Sequence, residues 1–206
     1  MLELRLLNDN DLPLVESWLN KEYIKRWYDI PGDCSIDDWI TEIEGRNDEF
    51  QFLTHLIALH EGRPIGFCQY YKCVDSDEDW GTLPLKGAYC IDYLIGEESY
   101  LGKGFGKGII TQLVREILSK PDAVCVVADI DEENIASEKA LLASGFVRFD
   151  AERNRYIISK EETSIQRYSA KHENELFALI EYEGDEWTFW QGENRAKLCR
   201  PKEKSI

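Results

Sequence analysis

The chain has 206 residues, enough for one large domain, or one domain with an appendage, around a single well-buried core. Hydrophobic residues make up 43% and charged residues 31%, a composition typical of a globular protein and not of a disordered or collagen-like one. The 24 Lys and Arg against 40 Asp and Glu give a net charge of −16, which argues against nonspecific binding to nucleic acid or anionic membranes and permits a cationic partner.

The first half of the chain predicts a strand, two short helices and a hairpin, in that order. Leucines alternate with polar residues at the start, and acidic and amide residues that can cap a helix follow them. An aromatic-rich region broken by Pro31-Gly32 separates the helices, and an acidic surface loop at 74–81 follows the hairpin. The predicted bounds are a strand at 2–7, a helix ending near 19, a helix at about 35–46, and strands at 52–60 and 64–71.

The second half predicts a β-α-β unit followed by a helix and two short strands. Apolar residues recur at helical spacing in the first helix, and the strand after it is almost entirely apolar. The predicted bounds are strands at 88–95 and 123–130, helices at 107–118 and 134–144, and strands at 146–149 and 155–159. Beyond 161 the pattern weakens to one more hairpin, at 176–182 and 186–191, and a basic tail that is solvated or frayed. We therefore predict a domain at 1–160 and a C-terminal extension at 161–206.

Nothing in the sequence predicts a metal centre, a signal peptide or a membrane helix. The three histidines, His55, His60 and His172, are too dispersed for a metal site or a catalytic triad. The six cysteines form no CxxC pair, and several lie in apolar runs, which favours reduced, buried thiols. Charges within the first five residues argue against a signal peptide, and no apolar run approaches the ~20 residues of a membrane helix. We expect a cytoplasmic location and no membrane partner.

A glycine-rich loop ahead of the 107–118 helix is the most informative segment. Gly102, Gly104 and Gly106 alternate along it, so backbone N–H groups can turn inward beside the positive end of the helix and cradle a pyrophosphate. Lys103 and Lys107 can add charge-assisted contacts. A glycine-rich turn can also be purely structural. The segment has neither the GxGxxG spacing of a dinucleotide-binding fold nor the Ser or Thr that a P-loop needs after its lysine.

Two motifs here resemble the GNAT superfamily of N-acetyltransferases. The loop Leu101-Gly102-Lys103-Gly104-Phe105-Gly106 matches the family's glycine signature at Gly104 and Gly106, although Leu101 replaces the usual Arg or Gln. Asn134 precedes a Gly-Phe pair, Gly145-Phe146, as in the family. The aminoglycoside 6'-N-acetyltransferase branch is similar over about 2–159 through further segments: Gly66-Phe67, Asp79-Trp80, the 91–97 stretch, and Asp129 five residues before Asn134.

The resemblance implies an α+β, GNAT-type fold: a mixed, mostly antiparallel central sheet, splayed at its middle and flanked by about four helices, with a C-terminal extension. It also implies acetyl-CoA as the acetyl donor. The backbone of Leu94 and Ile95 would pair with the pantetheine arm, and Asn134 would contact the same arm. The residues implied at the pyrophosphate are Gly102, Lys103, Gly104, Phe105, Gly106 and Lys107.

The same resemblance implies direct acetyl transfer, in a ternary complex, to a primary amine of a small cationic, aminoglycoside-like substrate. Asp92 matches the family carboxylate that lies beside the acetyl group, and our hypothesis is that it positions the amine and accepts its proton. Its structural alternative is a strand Asp that bonds a neighbouring loop. Asp79 and Asp129 would attract the cation, while Trp80 and Trp27 would wall the sugar rings. Each of these also has a structural alternative: a solvated acidic loop for Asp79, a helix cap for Asp129 and the core for Trp27.

One departure from the family bears on turnover. Where many members carry a Tyr that protonates the departing CoA thiolate, this chain has Leu141. Either water or another group protonates the thiolate, or the protein binds CoA without efficient turnover. Two alternatives therefore remain beside the small-molecule enzyme: a protein or peptide N-acetyltransferase, and a CoA-binding module with weakened catalysis.

Overall fold

The computed structural model describes residues 1–30, 32 and 34–160, together with the backbone of two short strands near the C-terminus. The chain divides into two compact units, Met1–Lys160 and Glu161–Ile206. The first unit is built on a seven-stranded sheet whose strands lie in the order β1-β2-β3-β4-β5-β7-β6. The strands are β1 (Leu2–Leu6), β2 (Thr54–His60), β3 (Arg63–Lys72), β4 (Ala88–Ile95), β5 (Cys125–Asp129), β6 (Val147–Asp150) and β7 (Arg155–Ser159).

Neighbouring strands of this sheet are antiparallel except for β4 and β5, which run parallel. The predicted mixed, mostly antiparallel sheet is therefore confirmed. β4 pairs with β5 only at Ala88–Cys90, opposite 125–127. On its other edge, β4 pairs with β3 as far as Ile95. The second half of β4 thus has a partner on one edge only, and the sheet is split between β4 and β5.

Among the residues that the structure describes, five α-helices flank the sheet, one more than the sequence predicted. They are α1 (Leu12–Leu19), α2 (Glu22–Tyr28), α3 (Ile36–Glu44), α4 (Phe105–Leu118) and α5 (Ile135–Ala143). The additional helix is α2, which lies in the aromatic-rich region where the sequence analysis predicts no helix. Its Tyr, Ile and Trp residues have modest helix propensity, and no side chain caps its start at Lys21. Tertiary contacts stabilise it instead, because Ile24 is buried among residues of α1, α3 and the sheet.

Three apolar clusters pack against the sheet, and strand alternation decides which residues face each one. One packs α4 against strand residues such as Leu56 and Cys68, and a second packs Trp80 of the acidic loop against residues of β3, β4 and β5. The third packs α1, α2 and α3 against Ile57, Phe67 and Leu94. Residues two positions away from these three along the same strands, including Asp92, therefore point toward the face that α1–α3 cover.

The second unit contains an antiparallel hairpin of β8 (Phe189–Gly192) and β9 (Arg195–Leu198). The first strand of the hairpin that the sequence predicted, 176–182, lies outside the described residues. Part of the predicted basic tail, Arg195–Leu198, forms a strand. Across the part of the chain that the structure describes, no helix has both the length and the apolar character that crossing a membrane requires.

Candidate active site

The split between β4 and β5 opens into a cavity of about 590 Å³. Its walls come from the second half of β4, the end of β5, helix α2, the start of α5 and the glycine-rich loop before α4. Among the described residues that line it, three are aspartates, namely Asp92, Asp129 and Asp131, and none is a Lys, Arg or His. The cavity is therefore acidic, and aromatic rings of α2 form one of its walls.

Asp92 lies on β4 and lines the cavity from the face that α1–α3 cover. Burial raises the pKa of its carboxyl to about 7, and the negative charges of Glu78, Glu42 and Asp129 act in the same direction. Gln69 opposes this shift because its Nε2 donates a hydrogen bond of 3.0 Å to Asp92 Oδ2. A carboxyl with a pKa near neutrality can both accept and release a proton under physiological conditions.

Asp129 ends β5 and also lines the cavity, but it is paired. Arg155 Nε donates to Asp129 Oδ1 at 2.5 Å and Nη2 donates to Oδ2 at 2.6 Å, a two-pronged ion pair. The Arg155 side chain is nearly fully buried, and its guanidinium lies 4.6 Å from the centroid of the Trp80 ring. Most of the charge on Asp129 is thus balanced within the protein.

Asp79 and Trp80, which the sequence placed at the substrate, are not among the residues that line the cavity. Asp79 is exposed, pairs with Arg153 at 2.8 Å and accepts the backbone N–H of Gly81. Trp80 is 4% exposed, packs among Tyr71, Cys90 and Val127, and donates its Nε1–H to Ser76 Oγ at 3.0 Å. In this structure both side chains hold the acidic loop against the sheet.

Helix α2 supplies the aromatic wall through Tyr23, Trp27 and Tyr28. The Tyr28 hydroxyl donates to the Tyr93 carbonyl at 2.8 Å, and the Tyr23 hydroxyl lies 2.8 Å from the Gly96 carbonyl and 3.2 Å from the Ile95 carbonyl. The Gly96 amide donates to the Ile65 carbonyl on β3, so by alternation the Ile95 and Tyr93 carbonyls point away from β3 and into the split. Because N–H and C=O of one strand residue point to the same edge, the Ile95 amide also faces the split, whereas Leu94 faces β3.

The glycine-rich loop borders the cavity through Leu101, Gly102 and Gly106. Gly102 has φ +70° and Gly104 has φ +82°, and a Cβ at either position would meet nothing within 4 Å. Gly104 caps the 14-residue helix α4 without a side-chain hydrogen bond. The N–H groups in the first turn of a helix lack intrahelical acceptors, so this end of α4 presents open donors that suit a phosphate.

The side chains around the loop differ in what they can contribute. Lys103 and Lys107 are exposed and outside the cavity lining. The Phe105 ring packs edge-on against His60 and Tyr100, with centroids 4.7 and 4.9 Å apart, so only its backbone is free to serve a ligand. These contacts anchor the start of α4 to the hairpin of β2 and β3.

Asn134 lines the cavity and caps α5, where its Oδ1 accepts the Ser137 N–H at 3.1 Å. The hydroxyls of Tyr93 and Ser137 hydrogen-bond each other at 2.6 Å and belong to the same wall. Leu141 is fully buried in the core beneath α5, so it offers no acid to the cavity. Within the described ranges, no three His, Cys, Asp or Glu side chains are grouped to hold a metal ion.

Comparisons with known proteins agree with this architecture. The family model described as an acetyltransferase (GNAT) domain matches residues 8–153. Curated relatives include the aminoglycoside N(6')-acetyltransferases type 1 of Klebsiella pneumoniae and Serratia marcescens, each 28% identical over 152 residues, which cover 70% of this chain and 73% of the relative.

Solved structures give the same fold. The aminoglycoside acetyltransferase AAC(6')-Ib, in complex with coenzyme A and kanamycin, aligns with a TM-score of 0.70 at 24% identity, covering 81% of this chain and 99% of that one. An aminoglycoside N(6')-acetyltransferase of Legionella pneumophila aligns with a TM-score of 0.64 at 20% identity, covering 80% and 95%. The chain belongs to the GNAT acetyltransferase family. It is an acetyl-CoA-dependent N-acetyltransferase, with acetyl-CoA as its co-substrate.

The structure brings most of the residues singled out in the sequence to one place. Asp92, Asp129, Trp27, Leu94, Ile95, Gly102, Gly106 and Asn134 all line the cavity. Sequence reasoning missed Asp131, Tyr23 and Tyr28 in the lining, and Gln69 behind Asp92. Asp131 could have been found from the sequence, because it lies two residues after Asp129, just past the end of the same predicted strand. The tyrosines depend on the unrecognised helix α2, and Gln69 depends on strand register, which no local pattern reveals.

Proposed function

We propose that this enzyme transfers acetyl from acetyl-CoA to a primary amine of a small polycation of the aminoglycoside class, by direct attack within a ternary complex. The observation that carries the proposal is Asp92: a carboxyl with a pKa of about 7 in an acidic, aromatic-walled cavity beside an open helix N-terminus. The substrates named for the relatives, kanamycin among them, have the charge that such a cavity attracts.

The chain offers two features to coenzyme A. The open N–H groups between Gly102 and Gly106 are suited to the pyrophosphate, and the exposed Lys103 and Lys107 can add charge from outside the cavity. The free edge of β4 at Ile95, with Asn134 across the split, is suited to the amide-bearing arm. The co-substrate supplies the activated acetyl thioester, and the cavity determines which amine reaches it.

Asp92 solves a protonation problem. An alkylamine with a pKa of about 10.4 is neutral in roughly one molecule in a few thousand at pH 7, which corresponds to a handicap of roughly 4–5 kcal/mol. The ionised Asp92 attracts the ammonium form and accepts one of its protons, directly or through a water molecule. The nitrogen, which then carries a lone pair, attacks the acetyl carbonyl. General-base assistance of this kind contributes about 10²–10⁴-fold.

Asp129 and Asp131 add negative charge at the β5 side, and Trp27 adds an apolar surface for a sugar ring. Because Arg155 balances Asp129, we assign it a weaker pull on the substrate than Asp92 exerts. The thiolate that leaves is protonated by water or by the hydroxyl pair of Tyr93 and Ser137, since Leu141 is buried in the core. Asp79 and Trp80 stay outside this proposal.

The test follows free-thiol release by the full chain with acetyl-CoA and a panel of amines. We expect release with kanamycin-like substrates and little with peptides. Release only with peptides would make the enzyme a peptide acetyltransferase, and tight acetyl-CoA binding without release would make it a binding module. The Asp92→Asn variant, with acetyl-CoA affinity measured by calorimetry, separates a lost base from a lost co-substrate site.

A further inference from the structure

Behind Asp92 a row of three polar side chains crosses the sheet. Asp92 on β4 is the register partner of Gln69 on β3, and Gln69 is the register partner of His55 on β2. All three lie on the face that α1–α3 cover, at positions two residues from Leu94, Phe67 and Ile57. This row begins at the cavity and runs away from it into the protein interior.

Gln69 and His55 are unusually buried for polar residues, at 2% and 4% exposure. Gln69 Nε2 donates to Asp92 Oδ2, but Gln69 Oε1 and both ring nitrogens of His55 are buried without a hydrogen-bond partner among the described residues. The His55 ring stacks on Phe67, with centroids 5.9 Å apart. Among the described residues, Gln69 is the only polar side chain that pairs with His55 in the strand register. Burial lowers the pKa of His55, and the interaction with Gln69 partly offsets this by raising it.

Chemistry fixes which way the Gln69 amide points. An ionised carboxylate only accepts hydrogen bonds, so the NH₂ group faces Asp92 and the carbonyl oxygen is turned away from it. Burial lowers the pKa of His55 to about 4, so the imidazole is neutral and keeps one N–H to donate at neutral pH. That N–H can donate to the amide oxygen, while the contact with Asp92 decides the orientation of the amide.

We propose that Gln69 is a positioning residue of this enzyme: held from behind by His55, it aims its amide N–H at Asp92 and keeps that carboxylate ionised and oriented for the incoming amine. The inference rests on the proposed role of Asp92 as proton acceptor. Neither Gln69 nor His55 lines the cavity, so both act through Asp92 and not on the substrate. The hydrogen bond from Gln69 lowers the pKa of the desolvated Asp92, so the carboxyl can still ionise and act as a base near neutral pH.

The other charged and titratable groups around the row act alongside Gln69. The carboxylates among them favour the protonated form of Asp92, whereas the tyrosines and the cysteine are neutral at pH 7, so Gln69 provides the opposing hydrogen bond. They are Glu42 on α3, Glu78 in the acidic loop, Asp129 on β5, Tyr28 on α2, Tyr71 on β3 and Cys90 on β4, with Arg46 acting on His55.

The test is an NMR titration of the Asp92 carboxyl in the full-length protein without co-substrate, in parallel with the pH dependence of kcat. In Gln69→Leu we expect the Asp92 midpoint to rise by about one pH unit, which lowers the ionised fraction and kcat about tenfold on the acidic side. At high pH, kcat should recover toward the wild-type value. His55→Phe should shift the midpoint in the same direction by less. The matched control is Gln112→Leu on α4, which should shift nothing.

A second measurement needs no substitution. In the wild-type protein the side-chain NH₂ resonances of Gln69 should move with the same midpoint as Asp92. An Asp92 midpoint unchanged in a folded Gln69→Leu, or Gln69 resonances that stay still while Asp92 titrates, overturns the proposal; an unchanged midpoint in His55→Phe overturns the part assigned to His55. Full activity of Asp92→Asn would instead overturn the proposed base, while the coupling of Gln69 to Asp92 would remain measurable.

Discussion

Two aspartates face the same cavity from neighbouring strands, and their surroundings give them different chemistry. Asp129 at the end of β5 is held by two hydrogen bonds from the buried Arg155. Asp92 on β4 has no cationic partner among the described residues, only the neutral amide of Gln69, and burial raises its pKa to about 7. Pairing makes one carboxylate a structural charge, and desolvation makes the other a candidate base.

The largest effect should come from removing the unpaired carboxylate. Asp92→Asn keeps the shape of the side chain and an acceptor for Gln69, but it cannot take a proton from the amine. We expect kcat to fall by about 10²–10⁴-fold, with acetyl-CoA affinity unchanged. Steady-state kinetics and calorimetry measure the two quantities. A kcat within twofold of the wild-type value would remove Asp92 from the mechanism.

Removing the paired carboxylate should act on stability first. Asp129→Asn leaves the buried Arg155 guanidinium beside Trp80 without its counter-charge. Because the Asp129 side chain is itself 36% exposed, we expect a loss of about 1–3 kcal/mol, below the value for a fully buried pair. Urea denaturation measures the loss. The matched control is Asp79→Asn, whose ion pair with Arg153 is exposed to solvent, so it should lose much less stability than Asp129→Asn. Equal losses in the two variants would contradict the distinction between buried and exposed pairs.

Asp129→Asn should lower the free energy of unfolding, whereas Asp92→Asn should raise it near pH 8. Because the folded protein raises the pKa of Asp92 above its ordinary value of 3.8, it binds this proton more tightly than the unfolded chain does. Stability therefore falls as pH rises from about 4 to about 7, and above that range the ionised carboxylate opposes folding. We expect Asp92→Asn to be more stable than the wild type by about 1–3 kcal/mol near pH 8.

Denaturation at two pH values checks this sign. The advantage of Asp92→Asn should disappear near pH 4, where Asp92 is protonated in the folded protein as well. A variant that is less stable than the wild type near pH 8 would show that the ionised carboxylate stabilises the fold.

The smallest effect concerns the glycine-rich loop. Gly104→Ala forces an L-residue into φ +82°, a strain of about 1–2 kcal/mol, although its Cβ would meet nothing within 4 Å. We expect acetyl-CoA affinity to weaken about 3–10-fold as the loop relaxes. Gly62→Ala, at φ +76° in the turn between β2 and β3, carries the same strain and should leave the affinity unchanged. An equal loss of affinity in both variants would exclude a specific role for the loop.

The features that the sequence predicted correctly rest on local patterns. Alternation, caps and apolar runs indicated the strands, four of the five described helices and the β-α-β unit, whereas the split in the sheet followed only from the resemblance to the GNAT family. The glycine-rich loop and Asp92 lie in one short stretch, so a motif alone could bring them together. Helix α2 could not be predicted from the sequence because its helix propensity is weak. Tertiary contacts of Ile24 and of the tyrosine hydroxyls stabilise it instead.

The parts of the site that could not be predicted depend on contacts between distant segments. Gln69 reaches Asp92 only through the β3–β4 register, and His55 reaches Gln69 only through the β2–β3 register. The family resemblance suggested Asp79 as a substrate ligand, and the acidic run at 74–81 indicated a solvated loop. Neither could reveal that Arg153, 74 residues later, pairs with Asp79. Likewise the partner of Asp129 lies on β7, two connections further along the chain.

The dependence of kcat/KM on pH tests the central claim most directly, because it reports the groups of the free enzyme. With kanamycin as the proposed acceptor, the wild type should show an acidic limb of unit slope with a midpoint near pH 7, the pKa of Asp92 in the unliganded protein. Asp92→Asn, measured with the same acceptor so that the titration of the substrate is common to both, should lose that limb and retain only slow turnover. A limb that persists unchanged in Asp92→Asn would mean that another group accepts the proton.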